Sequence, residues 1–453
     1  MSALNSIEPV ELRKAKIARA EPQNRLFSLR YKSRTEELDV KRVAISALIY
    51  RVANMRTSVK QRECIAQQSL PATFFSAGQE NLETQQIQHS ILVELSHDNL
   101  ADIFAELQRS AQQTEPLLVT TSGVVVNGNR RLAAMRELLH SDPARFSSFS
   151  HIDVAVLPPD ADEDTLSEIE TTLQIRPDLR SDYGWIEEAL GLRTQIDELG
   201  WDYEKAATVW GASVSDLKDR LKNLLLAEQY LEYLNAPGDY GRVSGDKQAI
   251  ETFSKTQGSR TATSSASRKE FQKLVMFAVL KEEVQDRKYN YAKEIDAISK
   301  EMERHIDAPP PTRPTQLDPD DPLGDLPAHV DDVPEGLLEM ARDVSYSDEL
   351  AQLAETSLLE IKTRRSAEKK GRQLLQASTD ALAKLSGLSL ANTDEATYLP
   401  TLKKLISIHC ETAKIMNLLL KEKPDLAREI DLGERNPLRD VIATINELNR
   451  LAS

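Results

Sequence analysis

Cysteine is nearly missing from this 453-residue chain: Cys64 and Cys410 stand far apart and give neither a disulfide framework nor a CxxC metal or redox pair. The seven histidines show no HxxxH or HxH spacing, so a structural zinc site is not expected and no metal ligands are assigned. Long apolar runs are lacking as well. None approaches the length needed to span a bilayer, and the opening MSALNSIEPVELRK has no apolar central run of a secretory signal. A cytoplasmic protein without a membrane partner is expected. Basic charge is scarce over most of the chain. The net charge is −15, yet Met1–Arg62 holds 14 Lys/Arg against 6 Asp/Glu, leaving the remainder at −23. The excess sits in LRKAKIARAEPQNRLFSLRYKSR, where Phe27 and Tyr31 lie among arginines. Read as a basic arm over 1–39, it would follow a phosphate backbone, with counterion release supplying affinity; the plainer reading is a solvated leader.

Between these absences the chain has a clear order. DAPPPTRPTQLDPDDPLGDLPAHVDDVPE, residues 307–335, contains 8 of the 20 prolines and 8 acidic residues against one arginine. Such a composition reads as an extended linker. SKTQGSRTATSSASRKE, residues 254–270, is small and polar and reads as a loop. From Val40 to about Gln174 strands and helices alternate. VKRVAISALI has strand character, LLVTTSGVVV reads as two short strands turning at Ser122-Gly123, and Ile152, Val154 and Val156 alternate as another strand. Leu100, Ile103, Phe104 and Leu107 mark a helix that Asp98 could cap. From Asp182 onward nearly everything reads as helix. Leu402, Leu405, His409, Thr412, Met416 and Leu419 follow three-four spacing, and Asn436-Pro437 opens a last helix. The expected fold class is α+β: a small α/β domain over 40–180, a helix-turn-helix over 181–235, a helical extension over 236–306, the linker, and a helical bundle over 336–453. Those last helices are the expected surface for a homodimer or a protein partner.

VVVNGNRRLAAMRELL, residues 124–139, carries the chemistry. A strand ending in Asn127-Gly128-Asn129 and turning straight into an amphipathic helix sets the helix's first N–H groups and positive dipole end beside the turn. Glycine permits close backbone approach, and Arg130 and Arg131 in the first turn can form charge-assisted bonds to phosphate oxygens. Arginines decorating a solvated helix face are the bland alternative, but that face needs neither the glycine nor the asparagines.

The same residues resemble the ParB/sulfiredoxin-like family. NGNRRLAA is similar to its GERR-type turn, matching at Gly128, Arg130 and Arg131. LIYRVANMR resembles its opening strand-and-turn, ending in Arg56, and TTLQIRPDLRSDYGWIEEALGL resembles its ENLQR box, matching at Leu173 and Gln174. The resemblance runs from Val40 to Leu226, with an unusual insertion between Arg56 and about Gln88. YEKAATVWGASVSDLKDRLKNLLL continues it as a ParB-type helix-turn-helix, with Gly211 at the turn and Ser213 as cap. Its second helix would expose Ser215, Lys218, Arg220, Lys222 and Asn223 to DNA, beside Asp216 and Asp219, which repel phosphates. A purely structural helical hairpin remains the other reading.

The resemblance implies a nucleotide-binding, DNA-associated protein in which CTP or ATP gates DNA binding or assembly. Arg56, Gly128, Asn129, Arg130, Arg131, Thr172 and Gln174 would hold the nucleotide. Reductase chemistry requires a cysteine where Asn129 stands and is excluded. The family's metal- and phosphate-facing carboxylates are replaced by Asn129, Thr171 and Thr172, with Glu170 one residue off. Mg2+ is therefore an optional companion, and binding is expected ahead of hydrolysis, a weak NTPase at most. The alternatives are an enzyme on the same fold, a nuclease or kinase using Glu168, Glu170 and Asp178, or a partner scaffold in a mobile-element or antiviral system.

Overall fold

The computed structural model describes residues 3–32, 34–97, 102–175, 184–259, 265–306, 333–386 and 407. In chain order these hold α1 (Val10–Arg19), β1 (Pro22–Tyr31), β2 (Arg34–Ala44), β3 (Ile49–Tyr50), α2 (Ser58–Gln68), α3 (Leu82–Ser96), α4 (Ile103–Ser110), β4 (Leu117–Val119), β5 (Val124–Asn127), α5 (Asn129–Ser141), β6 (His151–Val156) and α6 (Glu163–Ile175). Helices alone follow: α7 (Trp185–Asp197), α8 (Tyr203–Trp210), α9 (Val214–Tyr233), α10 (Lys247–Ser259), α11 (Ala266–Lys281), α12 (Lys288–Ile306), α13 (Glu335–Arg342) and α14 (Ser347–Ser386). The fold is α+β, built on one mixed sheet in the order β1-β2-β6-β4-β5-β3. β3 runs parallel to β5 and β4 parallel to β6; the other neighbours are antiparallel.

Side chains of a strand alternate between faces, and here each face has its own core. Leu117, Val119, Val125, Ile152 and Val154 point to the side covered by α3, α4 and α5, where Leu92, Leu107, Leu132, Met135 and Leu138 meet them. Their neighbours Leu118, Val126 and Ala155 point the other way, onto Leu166 and Ile169 of α6. With both faces covered, β4 is buried at every residue. The turn at Gly123 (φ +79°) makes the β4–β5 hairpin, as the sequence suggests.

Residues 1–39 are not an arm. Leu29 and Tyr31 of β1 and Leu38 of β2 enter the α6-side core, and Ile17 of α1 enters the opposite one. Arg13 is fully buried, its guanidinium donating to Glu80 at 2.7 and 2.9 Å and to the Ser122 carbonyl at 2.9 Å. The basic segment is thus an integral helix and hairpin, in which Arg25 and Arg30 are exposed. Of the polar stretch 254–270, residues 254–259 end α10 and 266–270 begin α11, while 260–264 lie outside the described residues. α4 is capped by Asp102, which accepts from Ala105 N at 2.8 Å; Asp98 lies outside the described residues. So do Leu402, Leu405, His409 and the Asn436-Pro437 helix, and of the linker only residues 333–335 are described, with Glu335 opening α13.

The chain divides into two compact units, Met1–Ile295 with Arg313–Ala351 and Asp296–Thr312 with Gln352–Ser453. Residues 1–235 all fall in the first. In the second, Glu301 of α12 accepts from Arg364 of α14 at 3.4 Å and from Arg304 of its own helix at 2.9 Å. No described helix is long and apolar enough to cross a membrane.

The α3–α5 side also buries a polar chain. Tyr50 contacts His89 Nδ1 at 2.7 Å, His89 Nε2 contacts Glu137 at 2.7 Å, and Arg136 stacks on the Tyr50 ring at 4.8 Å. Neutral His89 with its proton on Nε2 satisfies both partners, donating to Glu137 and accepting from Tyr50. Burial holds the imidazole below its ordinary value, with Arg136 acting in the same direction and Glu137 opposing. The unfolded chain therefore takes up this proton first as pH falls, so the contribution to stability is present above the ordinary histidine range and lost below it. The urea midpoint should drop between about pH 7.5 and about pH 5, and His89→Gln should flatten that drop; identical slopes for both proteins would remove His89 as its source.

Candidate functional site

Gly128 links β5 to α5 in the left-handed region at φ +99°. Besides that backbone demand, a Cβ there would collide with Leu117 Cδ2, so glycine is required for two independent reasons. The turn is neither covered nor fully solvated: Asn127, Gly128, Arg130 and Arg131 are all half-buried.

The two arginines diverge. Arg130 reaches the C-terminal end of α3, donating to the Leu95 carbonyl at 3.2 Å. Arg131 folds back toward β4, donating to the Glu115 carbonyl and carboxylate, each at 3.2 Å, and to Asn127 Oδ1 at 3.3 Å. Burial holds the Arg131 guanidinium below its ordinary value, and Glu115 and Glu106 offset this only in part. It remains charged and is paired with the Glu115 carboxylate.

Asn129 faces inward, contrary to the role expected for it at a ligand. It is 3% exposed, its Oδ1 accepts from Arg51 N at 3.3 Å, and its Nδ2 donates to the Val125 carbonyl at 2.9 Å. It fastens the start of α5 to the ends of β3 and β5. Arg56 lies on the 3-10 turn Met55–Thr57 and acts on Glu187 of α7, whose carboxyl burial pushes up while Arg56 is among the groups opposing. Thr172 is half-buried on α6; the side chain of Gln174 lies outside the described residues.

Sequence reasoning missed the group at the centre of this region, Arg51. Its side chain is 4% exposed and pairs through Nη1 with Glu170 and through Nη2 with Glu163, both on α6. Burial disfavours the charge, but Glu170 and Glu163 outweigh that and raise Arg51 above its ordinary value. The backbone around it is held by side-chain amides. Gln85 accepts from Tyr50 N and donates to Tyr50 O, both at 2.9 Å; Gln79 donates to Tyr50 O at 2.7 Å and accepts from Val52 N at 3.0 Å; Gln61 donates to Val52 O at 2.9 Å. The segment between Arg56 and Gln88 supplies all three glutamines. Glu170, offered by the sequence as an enzyme's carboxylate, is 2% exposed and also accepts from Met55 N at 3.1 Å. It is an anchor for Arg51. Glu168 is half-buried on α6, and Asp178 lies outside the described residues.

The other side of α6 grips the helical module. Gln195 of α7 donates to Ser167 Oγ at 3.0 Å and Thr171 Oγ1 at 2.7 Å, and accepts from Trp210 Nε1 at 2.7 Å. Asp164 accepts both contacts of Lys205 at 2.7 Å and one from Trp201 Nε1. Thr171 is therefore fully buried toward α7. α8 ends at left-handed Gly211, and α9 begins with a reciprocal Ser213–Asp216 capping box, so a short turn joins the two helices. Of the five residues expected to meet DNA, Ser215 and Lys218 are exposed, with Lys218 5.0 Å from the Tyr203 ring. Lys222 is exposed as well, while donating to the Ser254 carbonyl of α10 at 3.1 Å. Two are corrected: Arg220 is half-buried, tied to Glu188 at 2.9 Å and stacked on Trp210, and Asn223 is buried. α10 packs along part of α9.

Comparison with protein-family models, with curated proteins and with solved structures finds no match for this chain.

Two substitutions test this account. Gly128→Ala should lower unfolding free energy by about 1–3 kcal/mol in urea titration, through backbone strain and the Leu117 clash; an unchanged midpoint would contradict the left-handed turn. Arg51→Met strands a buried carboxylate and should cost about 3–5 kcal/mol, part of which Arg51→Met with Glu170→Gln should restore; equal loss in both would deny the pairing.

Proposed function

We propose that this chain is a ParB-like nucleotide-binding, DNA-associated protein, with the phosphates of CTP or ATP docking at the β5–Gly128–α5 turn and their binding gating DNA association. The observation that carries this reading is the turn itself: a left-handed glycine, half-buried, opening a 13-residue helix with Arg130 and Arg131 in its first turn. Helix N-termini attract anions through their unpaired N–H groups and dipole, and a guanidinium that burial disfavours gains by meeting a phosphate. Occupying the turn draws Arg131 away from Glu115, whose carboxylate is at the surface. DNA association runs through the N-terminal half of α9, Ser215 and Lys218, with Arg25 and Arg30 as further phosphate contacts. Coupling follows from shared parts: Asn129 fixes Arg51, Arg51 fixes α6, and α6 holds Gln195 and Trp210 beneath the α8–α9 turn. The C-terminal helices supply the homodimer or partner surface.

Calorimetric titration of the full chain with CTP, ATP and GTP, with and without duplex DNA, tests the reading. Arg130→Ala and Arg131→Ala should each weaken nucleotide binding by about tenfold or more while leaving circular dichroism unchanged. No heat with any of the three nucleotides, or unaltered affinity in both variants, would overturn it.

A further inference from the structure

We infer that the Gly128 turn takes its polyphosphate without a divalent cation, the chain's own guanidinium occupying the position between carboxylates that an ion would need. This rests on the nucleotide reading above. The family resemblance brings Mg2+ with it, so the residues at the corresponding positions must be asked whether they could hold one. Magnesium demands near-octahedral oxygen coordination at short distance. Asn129 has spent both amide atoms on backbone, its oxygen on Arg51 N and its nitrogen on the Val125 carbonyl. Thr171 points away into the α6–α7 contact, its hydroxyl accepting from Gln195. Glu170 accepts from Arg51 on one oxygen and from Met55 N on the other.

A second carboxylate of α6, Glu163, shares the same guanidinium. An ion entering between Glu163 and Glu170 would have to expel a charge that is 4% exposed and leave it buried beside a second cation, an arrangement that like-charge repulsion and desolvation both oppose. The residues present do not fit the metal. They fit a site whose buried charge is already balanced, Arg51 against Glu170, leaving the α5 N-terminus, Arg130 and Arg131 to meet the phosphates. A free nucleotide carries more negative charge than its magnesium complex, so guanidinium and N–H donors should favour the uncomplexed form.

Isothermal titration of the full chain with CTP and with ATP, in Mg2+ and in EDTA, tests this. The expected Kd in EDTA is equal to that in Mg2+ or tighter. Weakening by about tenfold or more in EDTA overturns the metal-free inference and leaves the nucleotide reading standing; absence of heat in both buffers overturns both. A second variant removes dependence on the buffer comparison. Glu163 is half-exposed, so Glu163→Gln should fold, and removing its negative charge should leave affinity in Mg2+ unchanged or raise it. A loss of about tenfold in that variant in Mg2+ would identify Glu163 as a metal ligand and sink the proposal.

Discussion

A guanidinium taken out of water costs several kcal/mol unless its charge is matched, and Arg51 meets that condition by binding two carboxylates of one helix. The pairing settles where α6 lies, and α6 closes one face of the sheet through Leu166 and Ile169 while presenting Ser167 and Thr171 to α7. Fixing Arg51 in turn requires a fixed backbone, which the three glutamines and Asn129 provide. Sheet, turn and helical module thus meet at one residue.

Much of the framework can be read from the sequence because it follows local rules. The Ser122-Gly123 hairpin, the strand-glycine-helix junction at Gly128 and the apolar face of α5 each announce themselves by spacing or backbone demand. The Gly211 stop and the Ser213–Asp216 box do the same for α8 and α9. Arg51 escapes such reading: a lone arginine at a strand end ordinarily looks solvated, and its partners lie more than a hundred residues away. Asn129 misleads for a related reason. Its position at a helix start suggests a ligand contact, whereas a three-dimensional neighbour, the Arg51 amide, captures its side chain.

The N-terminal segment shows how charge can hide pattern. Counting lysines and arginines over residues 1–39 suggests an arm, yet Phe27, Leu29 and Tyr31 alternate, as do Leu38 and Val40, and that two-residue period is the strand signal. Here side-chain periodicity decided and net charge did not. The covering of α9 by α10 had no such signal, since the contact between Lys222 and Ser254 joins helices through a backbone carbonyl that no residue pattern advertises.

The glutamines that flank Tyr50 have an effect beyond holding Arg51. β3 ends the sheet on one side, and the outward N–H and C=O of Tyr50 are already bonded to side-chain amides, so this margin offers no template for a foreign strand. The opposite margin, β1, is guarded differently, by Pro22, a left-handed Asn24 and charged Arg25 and Arg30. One rim is saturated and the other is contoured and charged, which protects the sheet from edge-to-edge aggregation.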